Sequence, residues 1–288
     1  MAESDDWVSI VAVLAADEVD LVAAALWDAG IAGIEERELA DGRVELVIGC
    51  RAGVADACTV LLGEAIVDVA PVSADAGLDG WREHAQAWRA GSCFVIVPPW
   101  IDDPDWIGDG DVRVSIDPGH AFGSGSHETT RLCIAALERT IGVASSVADI
   151  GCGSGVLAII AAGLGARSVV AVDIDPAAVA ATADNVTRNG ADGIVSVREG
   201  SAAAVGPGHD VVVANIAAPV LIADAAAIAG ACAPHGALLL SGMLSEQVGS
   251  VIAAYVPLGW SPATIELGED WAVVELRDPA HAHDHHHH

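Results

Sequence analysis

The chain has 288 residues, more than half of them apolar, enough for one large domain or two smaller ones with a sizeable core. Its 41 acidic residues stand against 12 basic ones, all arginine, and the formal net charge is −29. Such a surface repels nucleic-acid phosphates; it either favours a basic protein partner or serves solubility in general, with the arginine usage set by coding bias.

The start of the chain, MAESDDW, lacks the basic flank of a secretory signal. No apolar run reaches transmembrane length. The six cysteines are scattered without a C-x-x-C pair. They read as reduced, buried thiols in a cytoplasmic protein.

From residue 8 to residue 70 the pattern predicts β-α-β-β-α-β. Strands are expected at Val8–Leu14, Ile31–Glu36, Val44–Ile48 and Ile66–Ala70, and helices at Glu18–Ala29 and Val54–Leu62. Gly30 and Gly63 close the two helices, and Asp41-Gly42 marks a turn. The order is ferredoxin-like, and the segment holds no chemical motif.

Pro71–Gly80 reads as a loop, Trp81–Arg89 as a helix, and Cys93–Val97 as a strand. The expected division is a domain over 1–75, a connector over 76–98, a second domain over 99–277 and a His-rich tail over 278–288. His84 reads as an ordinary surface or interface histidine and not as a ligand.

A strand at Val112–Ile116 then runs into the Gly/Ser/His/Thr-rich loop DPGHAFGSGSHETT. Small residues allow close backbone approach, and hydroxyls supply adaptable hydrogen bonds. Thr129 or Thr130 is positioned to cap a helix over Leu132–Thr140. His120 and His127 have no Cys or Asp partner at ligand spacing, so a metal site is not expected.

The centre of the chain is VADIGCGSGVLAIIAAGLGARSVVAVDIDP, Val147–Pro176. An apolar strand ends at Asp149-Ile150. A turn carries Gly151, Gly153 and Gly155. A short helix, Val156–Leu164, and a second strand, Val169–Val172, lead to Asp173. Strand, glycine turn, helix, strand and acid make a βαβ unit that holds a nucleoside, with the acid able to accept from ribose hydroxyls. Cys152 reads as a bystander in the turn. The turn is G-x-G-x-G and not the dinucleotide G-x-G-x-x-G. Preceded by Asp149, it resembles the D-x-G-x-G-x-G turn of class I methyltransferases, which bind S-adenosylmethionine.

Downstream, Asp175-Pro176 opens a helix over Ala177–Asn189. Strands follow at Ile194–Val197, Val211–Ala214 and Ala237–Ser241, helices at Val220–Ala231 and Glu246–Tyr255, and a closing hairpin at Thr264–Leu276. Asn215 falls at the carboxyl edge of its strand, where open α/β sheets bind ligands. The fold class is α/β, with a seven-stranded, Rossmann-like methyltransferase sheet behind a small ferredoxin-like α+β domain.

Three blocks together resemble the bacterial PrmA family: AFGSGSHETTRLC, VADIGCGSGVLAI with VDIDP, and VVVANIAAPVL. The likeness is strongest from Asp117 to Leu221 and only architectural before Trp81. It implies an S-adenosylmethionine-dependent protein N-methyltransferase acting on lysine, and on N-terminal amines, of the eleventh large-subunit ribosomal protein. The partner would then be a basic ribosomal protein, with no direct nucleic-acid or membrane binding. Carried over by motif, cofactor contacts fall on Thr130, Asp149, Gly151, Gly153, Gly155, Asp173, Ser201 and Asn215. Asn215 would also lie beside the methyl group and the amine, and His127 is a candidate proton acceptor. Three positions depart from the family pattern. Glu128 replaces a usual proline, His120 an apolar residue, and Ser201 stands where an acid often holds the adenine amino group. Methylation of another protein or a small molecule, a non-catalytic ribosome-assembly module, and a dinucleotide oxidoreductase remain as alternatives.

Overall fold

The computed structural model describes residues 7–16, 18–31, 33–72, 86–117 and 128–278. The chain divides into two compact units, Met1–Ala85 and Gln86–His288.

The first unit contains β1 (Trp7–Ala15), α1 (Val19–Ala29), β2 (Gly33–Glu38), β3 (Arg43–Arg51), α2 (Ala52–Leu62) and β4 (Ile66–Val72). The sheet order is β2-β3-β1-β4, all antiparallel. That is the ferredoxin-like arrangement. Alternation sets the inward face: Val44, Leu46, Ile48 and Cys50 of β3 are buried, as are Ile10, Ala12 and Leu14 of β1. They pack with Leu26 of α1 and with Cys58 and Leu62 of α2.

The second unit opens with a small sheet of β5 (Trp88–Ala90), β6 (Phe94–Val97) and β7 (Val112–Ser115). It continues through α3 (Glu128–Thr140), β8 (Ser146–Ile150), α4 (Val156–Gly163), β9 (Ser168–Asp173), α5 (Pro176–Arg188), β10 (Val195–Glu199) and β11 (His209–Asn215). The last elements are α6 (Ala218–Ala223), α7 (Ala225–Ala231), β12 (Cys232–Leu244), α8 (Val248–Tyr255), β13 (Ser261–Leu267) and β14 (Trp271–Arg277). The large sheet has the order β10-β9-β8-β11-β12-β14-β13. The pairs from β10 to β12 are parallel, and β14 lies antiparallel between β12 and β13. This is the class I methyltransferase sheet. The parallel strands are covered on both faces, as such sheets require. Val147, Val169, Val211 and Val213 point into one core with Cys133, Ile134 and Leu157. Ala148, Val172, Val212 and Ala214 point into the other, with Leu221, Ile228 and Val251.

Three sequence expectations change. Trp88 and Arg89, expected at the end of a helix, are in strand β5, paired antiparallel with β6. Tertiary contacts override the helical spacing there: Ala90 and all of Phe94–Val97 are buried, and the Arg131 guanidinium lies 4.7 Å from the Trp88 ring centroid. These strands fall within the second compact unit, Gln86–His288. The helix α3 starts at Glu128, so Thr129 and Thr130 lie within its first turn and do not precede it. The helix expected over Val220–Ala231 is two helices, α6 and α7, joined at Asp224. His84, His120 and the His-rich tail lie outside the described residues.

Candidate cofactor and acceptor site

Register builds the site. Ile150 of β8 pairs with Val172 of β9 and with Ala214 of β11. The next row therefore carries Gly151, Asp173 and Asn215 side by side, with Ser241 of β12 paired to Asn215. The strand order reverses at β8, which has β9 on one side and β11 on the other. That reversal is the switch point where open α/β sheets bind ligands. Asp149, Asp173 and Asn215 share the parity of Val147, Ala171 and Val213, so all three face the side covered by α3 and α4.

A cavity of about 520 Å³ lies over this row. Its size is within the roughly 300–1,000 Å³ range of small-molecule sites. Thr130, Gly151, Gly153, Asp173, Ser201 and Asn215 all line it, so six of the sequence-selected residues converge. Asp149 and Gly155 do not line it. Gly155 instead heads α4 in a left-handed conformation. His127 lies outside the described residues.

The glycine turn is locally determined. Gly151 has φ of 74°, and a Cβ there would come 2.3 Å from Ile216 Cγ2. A side chain would be strained and would collide. Behind the turn, Thr182 Oγ1 donates to the Gly153 carbonyl at 2.8 Å. The fully buried Asn185 of α5 donates through Nδ2 to the Ser154 carbonyl at 2.8 Å and to the Asp117 carbonyl at 2.7 Å. It also accepts from the Asp117 N–H at 3.0 Å. One amide thus holds the glycine turn and the chain entering the Gly/Ser loop.

Asp173 is oriented before any ligand arrives. Oδ2 accepts from Gly153 N–H at 2.9 Å, and Oδ1 from Asp175 N–H at 3.0 Å. An ionised carboxylate has about four acceptor sites. Two backbone bonds leave two, matching the two hydroxyls of a ribose.

Asn215 Nδ2 donates to Thr129 Oγ1 at 3.2 Å. One of its two amide N–H groups is committed there, and Oδ1 is left as an acceptor. Asp149 sits beneath the turn, 1% exposed, and neither carboxylate oxygen completes a hydrogen bond. Burial pushes its pKa up to about 7; the Ala158 amide at the head of α4 opposes this, and the charge of Asp173 adds to it. The Cys152 thiol is pushed up to about 12, chiefly by burial and then by Asp149. It is a poor nucleophile at neutral pH. The buried Ser154 hydroxyl, in the cavity wall, has no partner either.

Sequence reading did not select Ile216, Ala217, Val220 and Trp271, which supply apolar wall, nor Asp224 and Gly242. Gly242 did carry a signal in principle. It interrupts an apolar strand, has φ of 84°, and lies against the Ile216 backbone, 2.4 Å from where its Cβ would be. Among the described residues, no His/Cys/Asp/Glu group has the arrangement of a metal site. No helix there is long and apolar enough to cross a membrane.

The glycine cradle, the pre-oriented acid and the unpartnered buried polar groups fit a nucleoside ligand with an amino-acid tail. Comparison with known proteins agrees. Residues 55–279 match the family described as ribosomal protein L11 methyltransferase (PrmA). A ribosomal protein L11 methyltransferase from Pelotomaculum thermopropionicum is 41% identical over 212 residues, 73% of this chain and 68% of the relative. One from Dechloromonas aromatica is 48% identical over 187 residues, 65% of this chain and 60% of the relative. The crystal structure of a ribosomal protein L11 methylase from Lactobacillus delbrueckii subsp. bulgaricus superposes with a TM-score of 0.63 at 29% identity, covering 67% of this chain and 99% of that one.

Proposed function

This chain belongs to the ribosomal protein L11 methyltransferase (PrmA) family, a class of S-adenosylmethionine-dependent methyltransferases, and on that premise we propose that it methylates amines of the ribosomal protein L11. The acceptors are lysine side chains and N-terminal amines. The observation that carries the reading is the single row of Gly151, Asp173 and Asn215 at the switch point, with Asn215 bonded to Thr129 in the cavity wall.

S-adenosylmethionine, when bound, supplies an electrophilic methyl group on a sulfonium. The protein's own work is then alignment, a proximity effect. Asp173 holds the ribose through its two free acceptor sites. Gly151 and Gly153 let the backbone approach the ligand. Ser201 and Thr130 contribute polar wall at either end. Asn215 Oδ1 accepts from the incoming amine and orients its lone pair.

The choice of an amide there has a physical reason. A lysine amine with a pKa of about 10.4 must be neutral to attack. A carboxylate beside it would stabilise the ammonium and raise that pKa further. An amide orients without charge. Asp149 is placed beneath the turn, where the cation of an amino-acid tail above it would offset the cost of its ionisation.

The test is transfer of labelled methyl from S-adenosylmethionine to ribosomal proteins lacking this modification. Label on L11 is the expected result. Label on another protein would retain the chemistry and remove the substrate. Absence of label on any protein, with the cofactor bound, would leave a non-catalytic binding module.

A further inference from the structure

Three acids line the cavity: Asp173, Asp175 and Asp224. Two are committed. Asp173 accepts two backbone N–H groups, and Asp175 caps α5 by accepting from Ala177 N–H at 2.9 Å. Asp224 is not. It interrupts what the sequence predicts as one helix, and its backbone serves both pieces. Its N–H donates to the Val220 carbonyl, and its carbonyl accepts from Ile228 N–H, each at 2.9 Å. It occupies the N-cap position of α7, yet its side chain makes no capping bond. Aspartate at that position ordinarily accepts from the helix's first amides. Here the carboxylate has no hydrogen-bond partner among the described residues; Asp224 lines the cavity, and its charge also reaches the buried Tyr255 hydroxyl.

Its place along the cavity is fixed by packing. The turn Ala202–Ala204 packs against α7. Ala202, Val205, Leu221 and Ala225 share one buried cluster, so the residue between Leu221 and Ala225 lies beside that turn. The turn follows β10, on the far side of the ribose acid Asp173 from Asn215. Asp224 therefore stands at the base end of the cavity, away from the acceptor end. The polar side chain supplied by the turn itself is only Ser201, a neutral hydroxyl.

We propose that Asp224 is the adenine-specifying residue of this enzyme, accepting a hydrogen bond from the exocyclic 6-amino group of the cofactor. An adenine presents an N–H donor at that position, and a hypoxanthine presents a carbonyl acceptor. A carboxylate attracts the first and repels the second. A site built around an acceptor thus reads the base and not merely its shape. The proposal rests on the reading of the cavity as an S-adenosylmethionine site.

The test is calorimetric binding of S-adenosylhomocysteine and its deaminated counterpart, S-inosylhomocysteine, to the full-length protein and to D224A and D224N. The unaltered protein is expected to prefer the adenosyl compound by about tenfold or more, the value of one charge-assisted hydrogen bond. D224A is expected to weaken adenosyl binding by about tenfold and to remove most of the preference. In D224N the amide can donate to a carbonyl, so the preference should shift toward the inosyl compound. Loss of affinity for both compounds in equal proportion would indicate a structural role and overturn the proposal. So would unchanged binding of both by D224A, including the case where only the KM for the protein substrate rises. Failure of the unaltered protein to bind S-adenosylhomocysteine would instead remove the cofactor reading, and this assignment with it.

Discussion

At the scale of single residues, two buried polar groups make opposite predictions. Asp149 has a folded pKa of about 7 against an ordinary 3.8, with burial as the main cause. Below pH 3.8 the carboxyl is protonated in both states and costs nothing. As pH rises toward 7 the unfolded chain releases this proton first, so stability falls across that window and is level above it. D149N should therefore match the ligand-free wild type near pH 4 and exceed it at pH 8, by on the order of 4 kcal/mol. Urea denaturation at both pH values checks this; equal stability at pH 8 would mean the carboxylate is solvated in the native state. Asn185 is the reverse case, a polar group whose partners need it. N185A strips bonds from the carbonyls of Ser154 and Asp117 and from the Asp117 N–H. It should cost about 2–4 kcal/mol of stability and weaken binding of S-adenosylhomocysteine, measured by denaturation and calorimetry. Residues that act through backbone spacing, such as Gly151 and Asp173, were legible in the sequence because spacing alone identifies them. Asn185 was not. It lies in the last turn of α5 in a polar stretch, and only the fold shows that it faces inward.

At the scale of elements, the site depends on how α3 is held. Its first residue is Glu128. The Glu128 carboxylate accepts from the Glu269 N–H in the turn between β13 and β14. A Cβ on Gly268 would lie 1.7 Å from Glu128 Oε1, so the glycine leaves room for the contact. That turn leads directly into Trp271, which lines the cavity with Thr129 and Thr130. Further along the same helix, Glu138 Oε1 accepts from the N–H of Ser92 at 2.7 Å and from its hydroxyl at 2.8 Å, and Arg139 pairs with Glu266 at 3.0 Å. The helix is thereby latched to hairpins at both of its ends. E128A should raise the KM for S-adenosylmethionine by about threefold to tenfold, roughly 1 kcal/mol for one exposed charge-assisted bond. E128Q, which keeps an acceptor, should restore most of it. G268A should reproduce the E128A effect, and the double variant should add little, as coupled neighbours do. Additive effects in steady-state kinetics would separate the two residues and dismiss the latch. None of this was legible in the sequence, because the partners are 141 positions apart. The β-α-β-β-α-β start and the helix–strand alternation of the second unit were legible, since both follow from hydrophobic periodicity and glycine punctuation; the strand order of the large sheet does not follow from them. The failures were at Trp88–Arg89, at the start of α3 and at Asp224. At Trp88–Arg89 a helical pattern yielded to strand pairing outside its own segment.

At the scale of the whole molecule, charge is the dominant fact. Among the described residues, seven of the twelve arginines already pair with carboxylates of the same chain. The cations are spent locally, and the net −29 remains as a surface field. A basic protein substrate should feel that field well before contact, which speeds encounter without altering chemistry. Screening distinguishes the two. The Debye length shrinks from about 10 Å at 0.1 M salt to about 3 Å at 1 M. The bonds that would hold the cofactor are short and partly buried, and they are screened far less. Raising salt from low to about 0.5 M should therefore raise the KM for the basic protein acceptor by roughly tenfold. The turnover number and the affinity for S-adenosylhomocysteine should change by less than about twofold over the same range. Steady-state kinetics at several salt concentrations, with calorimetry alongside, reads all three quantities. A KM insensitive to salt would mean that the acceptor is recognised by shape and apolar contact, and that the acidic surface serves solubility alone. A parallel loss of cofactor affinity would place the salt effect on folding and not on encounter.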